Sequence, residues 1–209
     1  MSPSDPRHLR VIEALNECSD EDLMGRYRDG EPAAFDILVR RHRRSVLSFL
    51  HRTVGDGTRA EELLGDVFLK LHRAAPRYEP SAKFTTYLYT VAYRAALNAR
   101  DKARHQLDSG VGGDAELERH AGSALATGSR DPEQRLADKQ AIDALDRELA
   151  ALSEGHRATF VLYYQQQMSC AEVAACLGIT AAEAKGRLAY ARKLLRTRLT
   201  ALARERGGR

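Results

Sequence analysis

The side chains best equipped to act on another molecule are cations and aromatic rings set at helical spacing. From Ala181 onward the chain carries Lys185, Arg187, Arg192, Lys193, Arg196 and Arg198, with only Glu183 against them nearby. Cations on a helix neutralise phosphates, and Ala181, Ala182 and Gly186 keep its front small enough to enter a groove. A second set joins Phe84, Tyr87, Tyr89 and Tyr93 to Lys83, Arg94, Arg100, Lys102 and Arg104. Rings beside cations suit single-stranded nucleic acid, because every base has a face to stack and every nucleotide a phosphate to neutralise. On a helix these rings fall on two faces, so some are expected at the surface. A helix-pair interface accounts for the tyrosines equally well, and a solvated face accounts for the cations.

A third set lies on the outward side of a helix over residues 58–73: Glu61, Glu62, Gly65, Asp66, Lys70 and Arg73. Acid before base is the order a helix dipole prefers, and compensation of that dipole is a sufficient structural reason for it. Gly65 is not explained that way, since glycine costs about 1 kcal/mol relative to alanine in a helix interior. A closely approaching partner would explain it.

Nothing comparable argues for catalysis. The seven histidines are scattered, no Ser/His/Asp or Cys/His set can be assembled, and no glycine-rich phosphate loop follows a strand. Cys18, Cys170 and Cys176 lack metal or redox spacing and read as small apolar residues.

The elements that position these residues are all helical, because strand alternation is absent and capped helical periods recur. Ser169-x-x-Glu172 and Thr180-x-x-Glu183 are capping boxes eleven residues apart. Between them Val173, Ala174 and Leu177 make an apolar face, and Gly178 stands where a helix must end in a left-handed residue. This is a helix-turn-helix. Upstream, Ser19 with Asp22 caps a helix stopped by Gly30, and Pro32 opens a longer one carrying His42 on one face and Arg40, Arg41, Arg43 and Arg44 on the other. Thr58-x-x-Glu61 is expected to cap the next helix, whose Ala60, Leu63, Leu64, Val67, Phe68 and Leu71 define a buried face.

With 209 residues and a net charge of only +4, the basic character is local, and 43% hydrophobic residues argue for a packed protein. Residues 1–18 form a polar, proline-bearing lead-in with no fixed structure expected. A first helical domain is placed at 19–105 and a second at 131–206. Between them, residues 106–130 are rich in Gly and Ser and acidic in their first half, through Asp108, Asp114, Glu116 and Glu118, which reads as a flexible linker. No apolar run reaches the roughly 20 residues of a membrane span and the N-terminus lacks a signal-peptide core, so a cytoplasmic location is expected.

Four segments in register, DLMGRYRDGEPAAFDILVRRH, AEELLGDVFLKLHR, FTTYLYTVAYRAALNARDKAR and the run from Leu152 through the helix-turn-helix, resemble the group IV (extracytoplasmic-function) sigma factors of bacterial RNA polymerase. The resemblance covers about Asp20 to Arg198. It implies a region-two bundle and a region-four helix-turn-helix, with no catalytic residue, metal or cofactor. By that resemblance Glu61, Glu62, Gly65, Asp66 and Lys70 bind the clamp helices of the core polymerase. Lys83, Tyr87, Tyr93, Arg94, Asn98 and Arg100 bind and melt the downstream (−10) element by holding the non-template strand. Ala182, Glu183, Lys185, Gly186, Arg187, Tyr190 and Arg192 read the upstream (−35) element as duplex, with region four also seated on the polymerase flap. An anti-sigma factor is the expected inhibitory partner. The chain departs from the family pattern at Gly65, where glutamine is usual, at Tyr87, usually tryptophan, and at Asn98, often aspartate. A dimeric helix-turn-helix regulator with an N-terminal interaction domain is the competing reading; it accounts for residues 153–198 but not for the aromatic and basic helix.

Overall fold

The computed structural model describes the backbone of residues 6–108 and 132–207, and every described element is helical. The first group is α1 (Pro6–Glu17), α2 (Asp20–Arg28), α3 (Pro32–Val54), α4 (Gly57–Ala74) and α5 (Phe84–Asp108), with a short 3-10 turn at Ala75–Arg77. The second is α6 (Pro132–Ala150), α7 (Glu154–Gln165), α8 (Cys170–Leu177) and α9 (Ala181–Gly207). The expected linker falls largely outside the described residues; its first three positions, 106–108, continue α5.

Local chemistry sets most boundaries. Ser19 Oγ accepts from the Asp22 amide at 3.1 Å at the start of α2, and Gly30, at φ +100°, turns the chain into Pro32. The lead-in, expected to lack structure, is largely helical. Pro6 opens α1, Leu15 is buried, and Arg41 on α3 binds the carbonyls of Asn16 and Cys18 at its C-terminal end. That anchor is contributed by a residue 23 positions from Cys18, beyond the reach of a local pattern. Arg41 and His42 both reach Asp20, at 2.8 and 2.7 Å, so His42 is more than a face residue. Burial would raise the Asp20 carboxyl, but the hydrogen bonds to His42 and Arg41 outweigh it and hold it below the usual range.

The cap of α4 also differs from expectation. Gly55 takes φ +82° and closes α3, so the chain re-enters a helix at once and Asp56 accepts from the Arg59 amide at 3.1 Å. Thr58 lies inside the helix. The buried face of α4 is nevertheless Ala60, Leu63, Leu64, Val67, Phe68 and Leu71, as its period requires.

The core begins between α2, α3, α4 and α5, where Leu23, Ile37, Phe49, Leu71 and Leu88 are fully buried, and continues without a break into α7 and α8 through Val161, Leu162, Val173 and Cys176. A smaller cluster of Leu149, Leu152, Ala191 and Leu195 ties α6 to α9. The two groups of helices therefore meet along a seam, chiefly α5 against α8 and α3 against α7.

Candidate nucleic-acid interface

Three surfaces hold the residues singled out from the sequence. On α4, Glu61, Glu62, Gly65, Asp66 and Lys70 are all exposed in one band, with Arg73 beyond. Leu69 sits among them at 43% exposure, an apolar contact residue that the charge pattern concealed. Because α4 starts at Gly57, no acidic residue lies in its first turn. A dipole effect fades within that turn, so macrodipole compensation does not account for Glu61, Glu62 and Asp66. A Cβ added to Gly65 would meet nothing within 4 Å, so no contact inside the described chain requires the glycine.

The second surface is the front of α9. Ser169 and Glu172 form a reciprocal capping box at the start of α8, and Gly178 ends that helix at φ +67°. Thr180 and Glu183 repeat the reciprocal pair, with Glu183 accepting from the Thr180 amide at 2.8 Å. These hydrogen bonds hold the Glu183 carboxyl below its ordinary range and leave it charged. The turn so fixed presents Ala182, Glu183, Lys185, Gly186, Tyr190 and Arg192 to the outside. Tyr190 is 54% exposed, with its ring 4.6 Å from that of His156. Arg187 differs: it is half-buried and folded back on α7, where a Cβ at Gly155 would lie 2.7 Å from its guanidinium. Burial, and then the Arg187 charge, hold His156 below the usual histidine range.

The third set, on α5, is divided. Arg94 and Asn98 are exposed and share a stripe with half-buried Tyr87. Lys83, Tyr93 and Arg100 instead face the second group of helices. Lys83 Nζ lies 2.8 Å from Glu172 Oε1, and Arg100 pairs with Glu154. The Lys83 ammonium, followed by the Ser169 amide and hydroxyl, brings the Glu172 carboxyl down to about 2. Tyr93 is 7% exposed, and burial raises its phenol despite the nearby Arg187 and Arg100 charges. Exposed rings were expected on this helix, and none is found. Phe84 and Tyr89 are core residues, Tyr89 edge-on to Phe49 at 5.3 Å and donating to Gln166 Oε1 at 2.6 Å. Both faces of α5 are covered because α8 packs on the one that α3 and α4 leave free.

Beside Tyr87 opens a cleft of about 450 Å³, lined by Arg73, Arg77, Tyr78, Glu79, Ser81 and Tyr87. The Tyr78 and Tyr87 rings are 5.9 Å apart, and the buried Tyr78 hydroxyl has no hydrogen-bond partner among the described residues. Burial raises both phenols, which stay protonated and able to donate. Arg77 and Tyr78 are functional candidates that the helical spacing of rings and cations did not single out. The aromatic and cationic flanks of Pro76 and Pro80 were the available signal.

The sigma-70 region 2 family matches residues 38–106, from within α3 to near the end of α5. RNA polymerase sigma factor CarQ of Myxococcus xanthus is 35% identical over 162 residues, 78% of this chain and 87% of that protein. The ECF RNA polymerase sigma-E factor of Escherichia coli is 25% identical over 189 residues, 90% of this chain and 98% of its own length. Among solved structures, the sigma factor RpoE of Bartonella quintana, in complex with the anti-sigma factor NepR, superposes with a TM-score of 0.63 at 18% identity, covering 79% of this chain and 96% of that one. Helical order, helix-turn-helix, family match and similar relatives agree: the chain belongs to the extracytoplasmic-function (group IV) branch of the sigma-70 family of RNA polymerase sigma factors.

Proposed function

We propose that this sigma factor joins core RNA polymerase through the outer face of α4, reads the upstream promoter element as duplex with the front of α9, and holds the melted strand on α5 and the adjoining cleft. The observation that carries the reading is the α4 face. Glu61, Glu62, Gly65, Asp66, Leu69 and Lys70 are exposed together, and neither dipole compensation nor packing inside the described chain accounts for them. A dimeric regulator needs no such face.

In this scheme α1 to α5 are the polymerase-binding and melting unit, extended by α1 beyond the expected start at residue 19, and α6 to α9 are the duplex-reading unit. Lys185 and Arg192 neutralise phosphate, while Arg187 reads a base edge after swinging out from Gly155. An unstacked base enters beside Tyr87, with the Tyr78 hydroxyl as a donor and Arg73 and Arg77 toward its phosphates. The polymerase performs the chemistry and this chain supplies positioning, in the cytoplasm where the polymerase works. No described helix is long and apolar enough to cross a membrane. An anti-sigma factor, like the one bound by the Bartonella relative, is the proposed inhibitory partner.

Mixing the purified chain with core polymerase and transcribing a bank of promoters tests the reading. A core complex that starts transcription at a subset of promoters is expected. Duplex binding by a dimer, with no association with core enzyme, would establish the regulator instead.

A further inference from the structure

Tyr190, at 54% exposure, is the most exposed large hydrophobic residue among those described, yet its ring is supported. His156 on α7 lies against it, with ring centroids 4.6 Å apart and planes 45° from parallel, a favourable aromatic spacing. His156 is in turn held by Ser153, whose Oγ lies 2.6 Å from its Nδ1. Ser153 is the N-cap of α7, where a serine hydroxyl ordinarily accepts from an amide of the first turn. It makes no such bond here and engages the imidazole instead. Burial, then the Arg187 charge, keep that imidazole below the usual histidine range, so it meets Tyr190 as an uncharged ring at neutral pH.

The helical period puts Tyr190 on one edge of the α9 front and Lys185, Arg192 and Arg196 on the other. Ala182, Gly186 and Ala189 stand between the edges, all exposed, and a Cβ added to Gly186 would meet nothing within 4 Å. Bases can therefore come close to the helix. The cationic edge suits phosphate, whereas Glu183, held in its charged form, shares the edge of Tyr190 and disfavours phosphate there. That edge offers an aromatic ring, and the apolar group that a base pair displays in the major groove is the thymine methyl. We propose that Tyr190 reads a thymine methyl in the upstream duplex, and that His156 is the positioning residue that holds its ring to that contact. The inference rests on the duplex-reading role proposed for α9 and adds a base preference to it. Arg187 has to swing out from Gly155 before it reads a base, whereas this pair is set in advance.

The test uses the full chain assembled with core polymerase. The holoenzyme selects a promoter from a randomised pool. Competition binding then compares the selected duplex with copies in which each thymine of the upstream element, on either strand, is replaced singly by deoxyuridine, which lacks only the methyl. One replacement should weaken wild-type binding about fourfold, the worth of one buried methyl group. Tyr190→Phe should keep that preference, while Tyr190→Ala and His156→Ala should abolish it. His156→Phe, which restores a ring against Tyr190, should recover it. The preference compares two duplexes on one preparation, so a misfolded fraction cancels. A preference unchanged in His156→Ala overturns the positioning role, and one lost in Tyr190→Phe gives the reading to the hydroxyl and overturns the methyl contact. A selected element indifferent to every replacement overturns the inference alone. A holoenzyme that selects no upstream element overturns the functional reading and this inference with it.

Discussion

Charge reversal on α4, Glu62→Lys with Asp66→Lys, separates a binding face from a solvated one because the structure bounds its cost to folding. Both side chains are exposed and neither lies in the first turn of the helix. Glu62 and Asp66 are four residues apart and already repel; two lysines there repel as much, so that term does not change. The loss comes from Asp66 and Lys70, an i, i+4 attraction that becomes a repulsion, each worth about 0.2–0.5 kcal/mol. Helix propensity returns part of this, since lysine is a better helix former than aspartate. The net destabilisation is therefore below about 1 kcal/mol, or about 2–4 °C in Tm for a chain of this size. Reversing two charges within an interface costs about 2–5 kcal/mol for each buried, paired group, enough to lower core polymerase affinity more than about hundredfold. Thermal melting by circular dichroism and a core polymerase pull-down read the two quantities, with Asp36→Lys on α3 as an exposed control. Persistent pull-down by the double variant would refute the α4 assignment, and a drop in Tm well beyond 4 °C would refute the claim that the face is free of folding duties.

Three further outcomes follow from particular residues. Gly178→Ala should cost about 1–2 kcal/mol of stability, visible in the denaturant midpoint, because φ is +67° while nothing crowds the added Cβ, leaving left-handed backbone strain as the only cost. The Glu172 carboxyl is lowered from 4.5 to about 2 in the folded chain, so its contribution is complete above pH 4.5 and is lost as pH falls toward 2; Glu172→Gln should flatten the stability profile in that window and leave neutral pH behaviour of the helix cap intact. Arg187→Ala should impair initiation on intact duplex promoters but spare templates already mismatched at the downstream element, whereas Tyr87→Ala should weaken binding to the pre-melted strand; equal loss by Arg187→Ala on both templates would move that residue's role to folding or polymerase contact.

What could be read from the sequence was local. The capped turn at Ser169 to Thr180 and the buried face of α4 depend on residues within one or two helical turns, and both are found as expected. The cap of α4 went to Asp56 over Thr58 because both are capping types and the left-handed Gly55 decided between them. Three features were illegible for a common reason, that their partners are distant in the chain. Glu21 accepts from the Phe84 amide 63 positions away and so caps α5; Arg41 anchors α1; Tyr89 is buried beneath α8. The period of α5 showed that two faces carry rings. It gave no sign that a second group of helices covers one of them.

That covering orders the steps of the proposed mechanism. The outer face of α4 and the exposed members of the α9 front, Lys185, Tyr190 and Arg192, are open, while Lys83 and Arg100 are paired across the seam, Tyr93 is buried at it, and Arg187 is folded back on α7 within the second group. Under the proposed function, the polymerase-binding face is therefore reachable with the two groups of helices packed together. Strand capture has a cost that core binding lacks, the loss of the ion pairs and of the apolar contact of α5 with α8.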